Sequence, residues 1–78
     1  MYKKNQFGIE LKQQIEGGYD VRRISNWAYQ EAYTTHRTFE DGLYDVIMTV
    51  VMMEMGHEFE LSEAQLLQLA NDMINFEG

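Results

Sequence analysis

The chain has 78 residues and a formal net charge of −7. That length is about half of a typical domain, which excludes a two-domain enzyme, and folding is expected to bury only roughly 60% of the unfolded surface. Apolar residues at 45% and charged residues at 24% are ordinary globular values that argue against disorder, and the lack of cysteine removes disulfides and thiolate metal sites.

Proline is absent, and Gly17-Gly18, Gly42 and Gly56 divide the chain into four segments of helical length. In the first, Phe7, Leu11 and Ile15 recur at i, i+4 and i+8, one helical stripe. A helix over residues 5–16 ends at the Gly17-Gly18 stop, and Gly8 weakens its start. The second opens on Asp20, a good N-cap. Val21, Ile24, Ala28, Ala32 and Thr35 share one face, with Trp27 beside it, and Arg22, Arg23, Asn26, Gln30 and Arg37 share the other. This predicts an amphipathic helix over residues 20–37, with Tyr29 and Tyr33 at its border.

The third segment follows Glu40-Asp41-Gly42, where acidic residues suit a helix start. Leu43, Val46, Ile47 and Val50 make one face. Tyr44, Met48, Val51 and Met55 widen it until only Asp45, Thr49 and Met52 remain polar-side. That pattern predicts a central helix over residues 42–55. The run from Val46 to Val51 has strand propensity, but thirteen residues without a turn signal favour helix. The fourth opens on the capping box Ser62-Glu63-Ala64-Gln65, with Leu61 and Leu66 placed as a hydrophobic staple. Leu66, Leu67, Leu69, Ala70, Met73, Ile74 and Phe76 then mark a helix over residues 63–76. Four such stripes predict one all-α domain over residues 1–78, a small four-helix bundle.

The constellations that suggest chemistry are thin. Glu54 and His57 match Glu-x-x-His, a di-iron spacing, but such a site needs two copies and further glutamates. One copy exists, and Gly56 is read as ending the helix inside it. Ser25 and His36 lack any spacing that supports a triad, and no nucleophile elbow is present. Gly17-Gly18 is a doublet and not a phosphate loop. Glu58 and Glu60 flank Phe59 in an expected extended linker, which would point both carboxylates the same way. Met48, Met52, Met53 and Met55 read first as core, with Met52 projecting to the polar side. No cofactor, no metal and no enzymatic activity are expected.

The charge map is more informative. Residues 1–39 hold all six basic residues against four acidic ones, a net of +2, and residues 40–78 hold nine acidic residues and no Lys or Arg, a net of −9. A one-signed surface repels nucleic acid and anionic membrane and steers a basic partner inward. No apolar run is long enough to span a membrane and no signal-peptide core follows Met1, so a cytoplasmic location is expected.

Three phrases carry a resemblance: Ile24-Ser25-Asn26-Trp27-Ala28-Tyr29, Glu40-Asp41-Gly42-Leu43-Tyr44-Asp45-Val46-Ile47, and Met53-Glu54-Met55-Gly56-His57-Glu58-Phe59-Glu60-Leu61-Ser62-Glu63. Over roughly residues 20–75 the chain resembles small acidic bacterial immunity proteins. These are the partners of colicin-type and contact-dependent growth inhibition toxins, many of them nucleases. The tyrosine-bearing motif of the DNase-colicin immunity proteins does not stand in this sequence, and no residue role is carried over from it. The resemblance implies an antitoxin that fills or covers the basic cleft of a cognate toxin nuclease. Carboxylates would occupy phosphate positions, and a few apolar anchors would hold the complex.

On that expectation Asp41, Asp45, Glu58, Glu60 and Glu63 form the charged set, and Tyr44, Met52 and Phe59 are candidate anchors. Phe59 reads equally as a core plug at the bundle end. The alternative is a structural or regulatory module that self-associates through the apolar third helix, and a homo-oligomer is left open.

Overall fold

The chain folds as one small all-α domain of four helices, and the computed structural model describes residues 1–36 and 38–76. Helix α1 spans Lys4–Glu16, α2 Val21–Gln30, α3 Leu43–Val51 and α4 Glu63–Ile74. A π-helical turn, Glu31–Thr35, extends α2, and two short 3-10 segments, Met52–Met55 and His57–Phe59, separate α3 from α4. The helices pack as two pairs, α1 along α4 and α2 along α3. The Cα radius of gyration is 11.4 Å. A compact chain of this length is expected near about 11.5 Å.

Helix α1 buries the predicted stripe of Phe7, Leu11 and Ile15. Gly8 lies within it and is buried, so it does not mark a weak boundary. A Cβ at Gly8 would fall 2.7 Å from both the Ala70 carbonyl oxygen and the Ile74 nitrogen. That glycine lets the α1 and α4 backbones meet. The α1 amino terminus is capped from two places. The Gln6 side chain accepts from the Lys3 N–H at 2.9 Å, and the Glu40 carboxylate accepts from the Lys4 N–H at 2.8 Å. The Glu40 side chain therefore caps the first helix, while its carbonyl accepts from the Leu43 N–H at 2.9 Å where the third begins. Helix α3 starts from Gly42, whose φ of +82° suits a residue without a Cβ.

Asp20 caps α2 as predicted, accepting from the Arg23 N–H at 3.2 Å. Ile24, Ala28 and Ala32 are buried, and Trp27 stacks on Phe7 with centroids 5.3 Å apart. The single α-helix expected over residues 20–37 is interrupted within the described residues, and Arg37 lies outside them. α-Helical bonding gives way to the π turn after Gln30, and Thr35 becomes exposed because the wider turn rotates it off the apolar face. The amino terminus is also tied down. Tyr2 donates to the Thr38 carbonyl at 2.9 Å and accepts from the Glu40 N–H at 2.8 Å, and it is 2% exposed.

Residues 46–51 are helical, in agreement with the choice of helix over strand. The expectation that this helix is central, however, is corrected. Leu43, Ile47 and Val50 are fully buried, while Tyr44 and Met55 are exposed. α3 sits at the side of the bundle, with α2 against its inner face. The Ser25 hydroxyl donates to the Val51 carbonyl at 2.6 Å, fastening α2 to the last turn of α3. The Ser62–Gln65 capping box forms in both directions, at 2.9 and 3.1 Å. Leu66 is fully buried and Leu61 packs on the core. α4 ends at Ile74, two residues short of Phe76, whose exposed ring carries the Lys4 ammonium at 3.8 Å.

Candidate functional site

Asp45, Met48, Thr49 and Met52 fall at helical spacings of three and four along the outer side of α3 and its 3-10 extension. The turn His57–Phe59 follows and brings Glu58 and Phe59 against them. The six side chains line an open groove of about 430 Å³. Its walls carry two carboxylates and two thioethers with no basic side chain, and the Phe59 ring is 44% exposed. Phe59 is therefore not a plug of the core.

The expected extended linker is not present. Residues 57–59 form a 3-10 turn, in which successive side chains diverge by about 120°. Glu58 consequently reaches the groove, while Glu60 reaches a second depression of about 450 Å³, beside Val21, Arg22, Met53, Glu54, Gly56 and His57. Glu63 lies in the first turn of α4. Burial pushes the Tyr19 phenol above its ordinary value, and Glu60 and Glu63 push it the same way. Those two carboxylates thus belong to the Tyr19 side. Of the eight predicted residues, Asp45, Met52, Glu58 and Phe59 are brought together. Asp41 stands exposed in the turn before α3, and Tyr44 adjoins the groove without lining it.

Tyr44 turns toward the π turn. Its hydroxyl shares a hydrogen bond of 2.6 Å with that of Tyr33, and the rings meet nearly at right angles with centroids 6.1 Å apart. This hydrogen bond holds the Tyr33 phenol above its ordinary value. Tyr29 lies 4.8 Å from Tyr33 and Phe39 lies 5.9 Å from Tyr44, centroid to centroid. The Tyr33 hydroxyl also donates to the Met48 sulfur at 3.4 Å, so Met48 joins the aromatic cluster to the groove. Sequence reasoning missed Tyr33, Tyr29, Met48 and Thr49 as parts of one surface. The i, i+4 pair Tyr29/Tyr33 was the available signal.

A second cluster lies between α1, the π turn and the amino terminus. His36 Nε2 and Glu31 Oε2 are 2.8 Å apart, and the Tyr2 ring stacks on the His36 ring at 3.7 Å. Residues five apart lie about 140° apart around an α-helix, so the wider π turn is what pairs them. Burial first, and the Glu31 charge second, raise the Glu10 carboxyl above its ordinary value. The Ser25 hydroxyl and the His36 ring are each engaged elsewhere, in the bonds to Val51 and Glu31. Among the described residues, no group of three or more His, Asp or Glu side chains is placed to hold a metal ion, including at Glu54 and His57. None of the described helices is long and apolar enough to cross a membrane.

No family model matches the chain, and no curated protein and no solved structure matches it.

Proposed function

We infer that this chain is a non-enzymatic immunity protein that neutralises a basic toxin nuclease domain by binding it through the Asp45–Phe59 groove. The observation that carries the reading is the groove itself, whose lining joins Asp45 and Glu58 to the apolar side chains of Met48, Met52 and Phe59. Carboxylates at the rim speed encounter with a cationic surface, and half-exposed sulfur and aromatic side chains supply residence once water is expelled. The uneven charge supports the same partner, because residues 40–78 carry nine acidic residues and no Lys or Arg. The resemblance of residues 20–75 to small acidic immunity proteins selects an antitoxin among acidic binding modules. The cell compartment belongs to the same proposal: the protein acts in the cytoplasm, where an imported nuclease would act.

The reading places a toxin gene directly upstream of this one. Co-expression with the nuclease domain of that toxin should restore growth, with an association rate that falls as ionic strength rises. Reversing two groove charges, Asp45→Lys with Glu58→Lys, should weaken the complex about tenfold or more. Failure of the wild-type chain to protect or bind overturns the immunity reading. Protection that survives the double reversal unchanged moves the surface elsewhere.

A further inference from the structure

The groove ends at Met48 on a corner of half-exposed aromatic rings. Tyr29, Tyr33 and Tyr44 are 53%, 50% and 39% exposed, too open for core packing alone. Tyr33 and Tyr44 are also held in place. The 2.6 Å bond joins the Tyr33 and Tyr44 hydroxyls, and Met48 receives the Tyr33 hydroxyl at 3.4 Å. Rings fixed before binding lose little further freedom on contact. A tyrosine face carries negative quadrupole charge and attracts a cation. Asp45 lines the groove beside Met48, the residue that receives the Tyr33 hydroxyl, so its exposed carboxylate stands next to the corner and adds to that field. π-Helical turns recur at functional sites, and here the π turn is what carries Tyr33.

We propose that this tyrosine corner receives an arginine side chain of a basic protein segment whose backbone lies in the adjoining groove. The proposal rests on the reading of this face as a protein-binding surface and names the chemistry of what it binds. A guanidinium is planar and weakly hydrated, so it stacks on an aromatic ring while its N–H groups still reach oxygen acceptors. An ammonium is compact and strongly hydrated, and it fits rings meeting at a corner less well. An anionic side chain would meet the groove carboxylates Asp45 and Glu58, and an aliphatic one would leave their field unused.

The test uses the whole chain and a blocked tripeptide, acetyl-Gly-Arg-Gly-amide, titrated at low ionic strength while tyrosine ring signals are followed by NMR. The expected result is saturable shifts of the Tyr29, Tyr33 and Tyr44 ring signals with the arginine peptide, and none with the uncharged citrulline peptide. Tyr44→Leu should weaken the arginine interaction about threefold, the amount one exposed cation–π contact contributes. The citrulline comparison on the unaltered chain keeps the test independent of whether that variant folds. Absence of ring shifts, equal shifts with citrulline, or equal shifts with the lysine peptide would overturn the arginine assignment. A failed peptide titration alongside intact protection by the wild-type chain discards this corner and leaves the immunity reading standing.

Discussion

Gly8 illustrates how much one missing methyl group can decide. By intrinsic propensity, alanine in mid-helix is better than glycine by about 1 kcal/mol. At Gly8 the added Cβ would sit 2.7 Å from two α4 backbone atoms and 2.9 Å from the Met73 Cβ, and backbone cannot swing aside. Overpacking of that kind costs typically about 1–3 kcal/mol. Gly8→Ala is therefore expected to lower the urea midpoint despite its better propensity, and a raised midpoint would show that α1 and α4 can separate cheaply. Glu10 offers a test in pH. Burial and the Glu31 charge raise its carboxyl in the folded state, while the His36 ring and the Tyr2 hydroxyl act in the opposite sense. The folded chain thus holds this proton more tightly than the unfolded chain does. Its contribution is present below the ordinary carboxyl value of 4.5 and is lost as pH rises through the elevated folded value. Glu10→Gln should raise the melting temperature at neutral pH, with the gain shrinking to nothing on acidification below that range. A gain that is equal at both pH values would point to a cause other than ionisation.

Among the elements, α1 and the π turn depend most on contacts that local sequence does not announce. The Glu40 carboxylate caps α1 from thirty-six residues away. Glu40→Ala should cost about 1 kcal/mol, in the range of ordinary N-cap losses. Amide exchange should accelerate in the first turn of α1 and stay unchanged in α4. Uniform acceleration would mean that Glu40 acts on global stability and not as a cap. The π turn is a similar case. Ala32 continues the buried face of Ile24 and Ala28, so periodicity reads straight through it. The π turn coincides with two contacts that no local pattern announces, the stacking of Tyr2 on the His36 ring and the pairing of His36 with Glu31. The caps at Asp20 and Ser62 were legible because their partners lie three residues away.

At the scale of the molecule, the two helix pairs divide the labour. The α1/α4 pair supplies the close backbone crossing at Gly8, and the groove and tyrosines are carried by α2, α3 and the turns that follow them. The Gly8 crossing lies away from the groove, and the stack of Phe7 on Trp27 joins the two pairs. Gly8→Ala should destabilise the fold while leaving the affinity of the folded fraction for its partner within about twofold, because a Cβ at Gly8 meets α4 atoms and none that line the groove. Equilibrium binding well below the melting transition measures this, and a large affinity loss would show that the pairs are coupled. The net charge of −7 acts at the same scale, through steering that salt screens.

Fold class, apolar stripes and local caps can be read along the chain, because helical periodicity and capping are properties of residues three and four apart. The charge imbalance between the two halves can be read there too, because it is a matter of composition. Which carboxylates share a surface depends on packing and turn geometry. Glu58 and Glu60 are two residues apart, yet the 3-10 turn sends one to the groove and the other to the depression beside Arg22. Tyr33 and Tyr44 are eleven residues apart, yet their hydroxyls touch. Such pairings follow from how helices pack and where a turn changes pitch, and no short window of sequence contains that information.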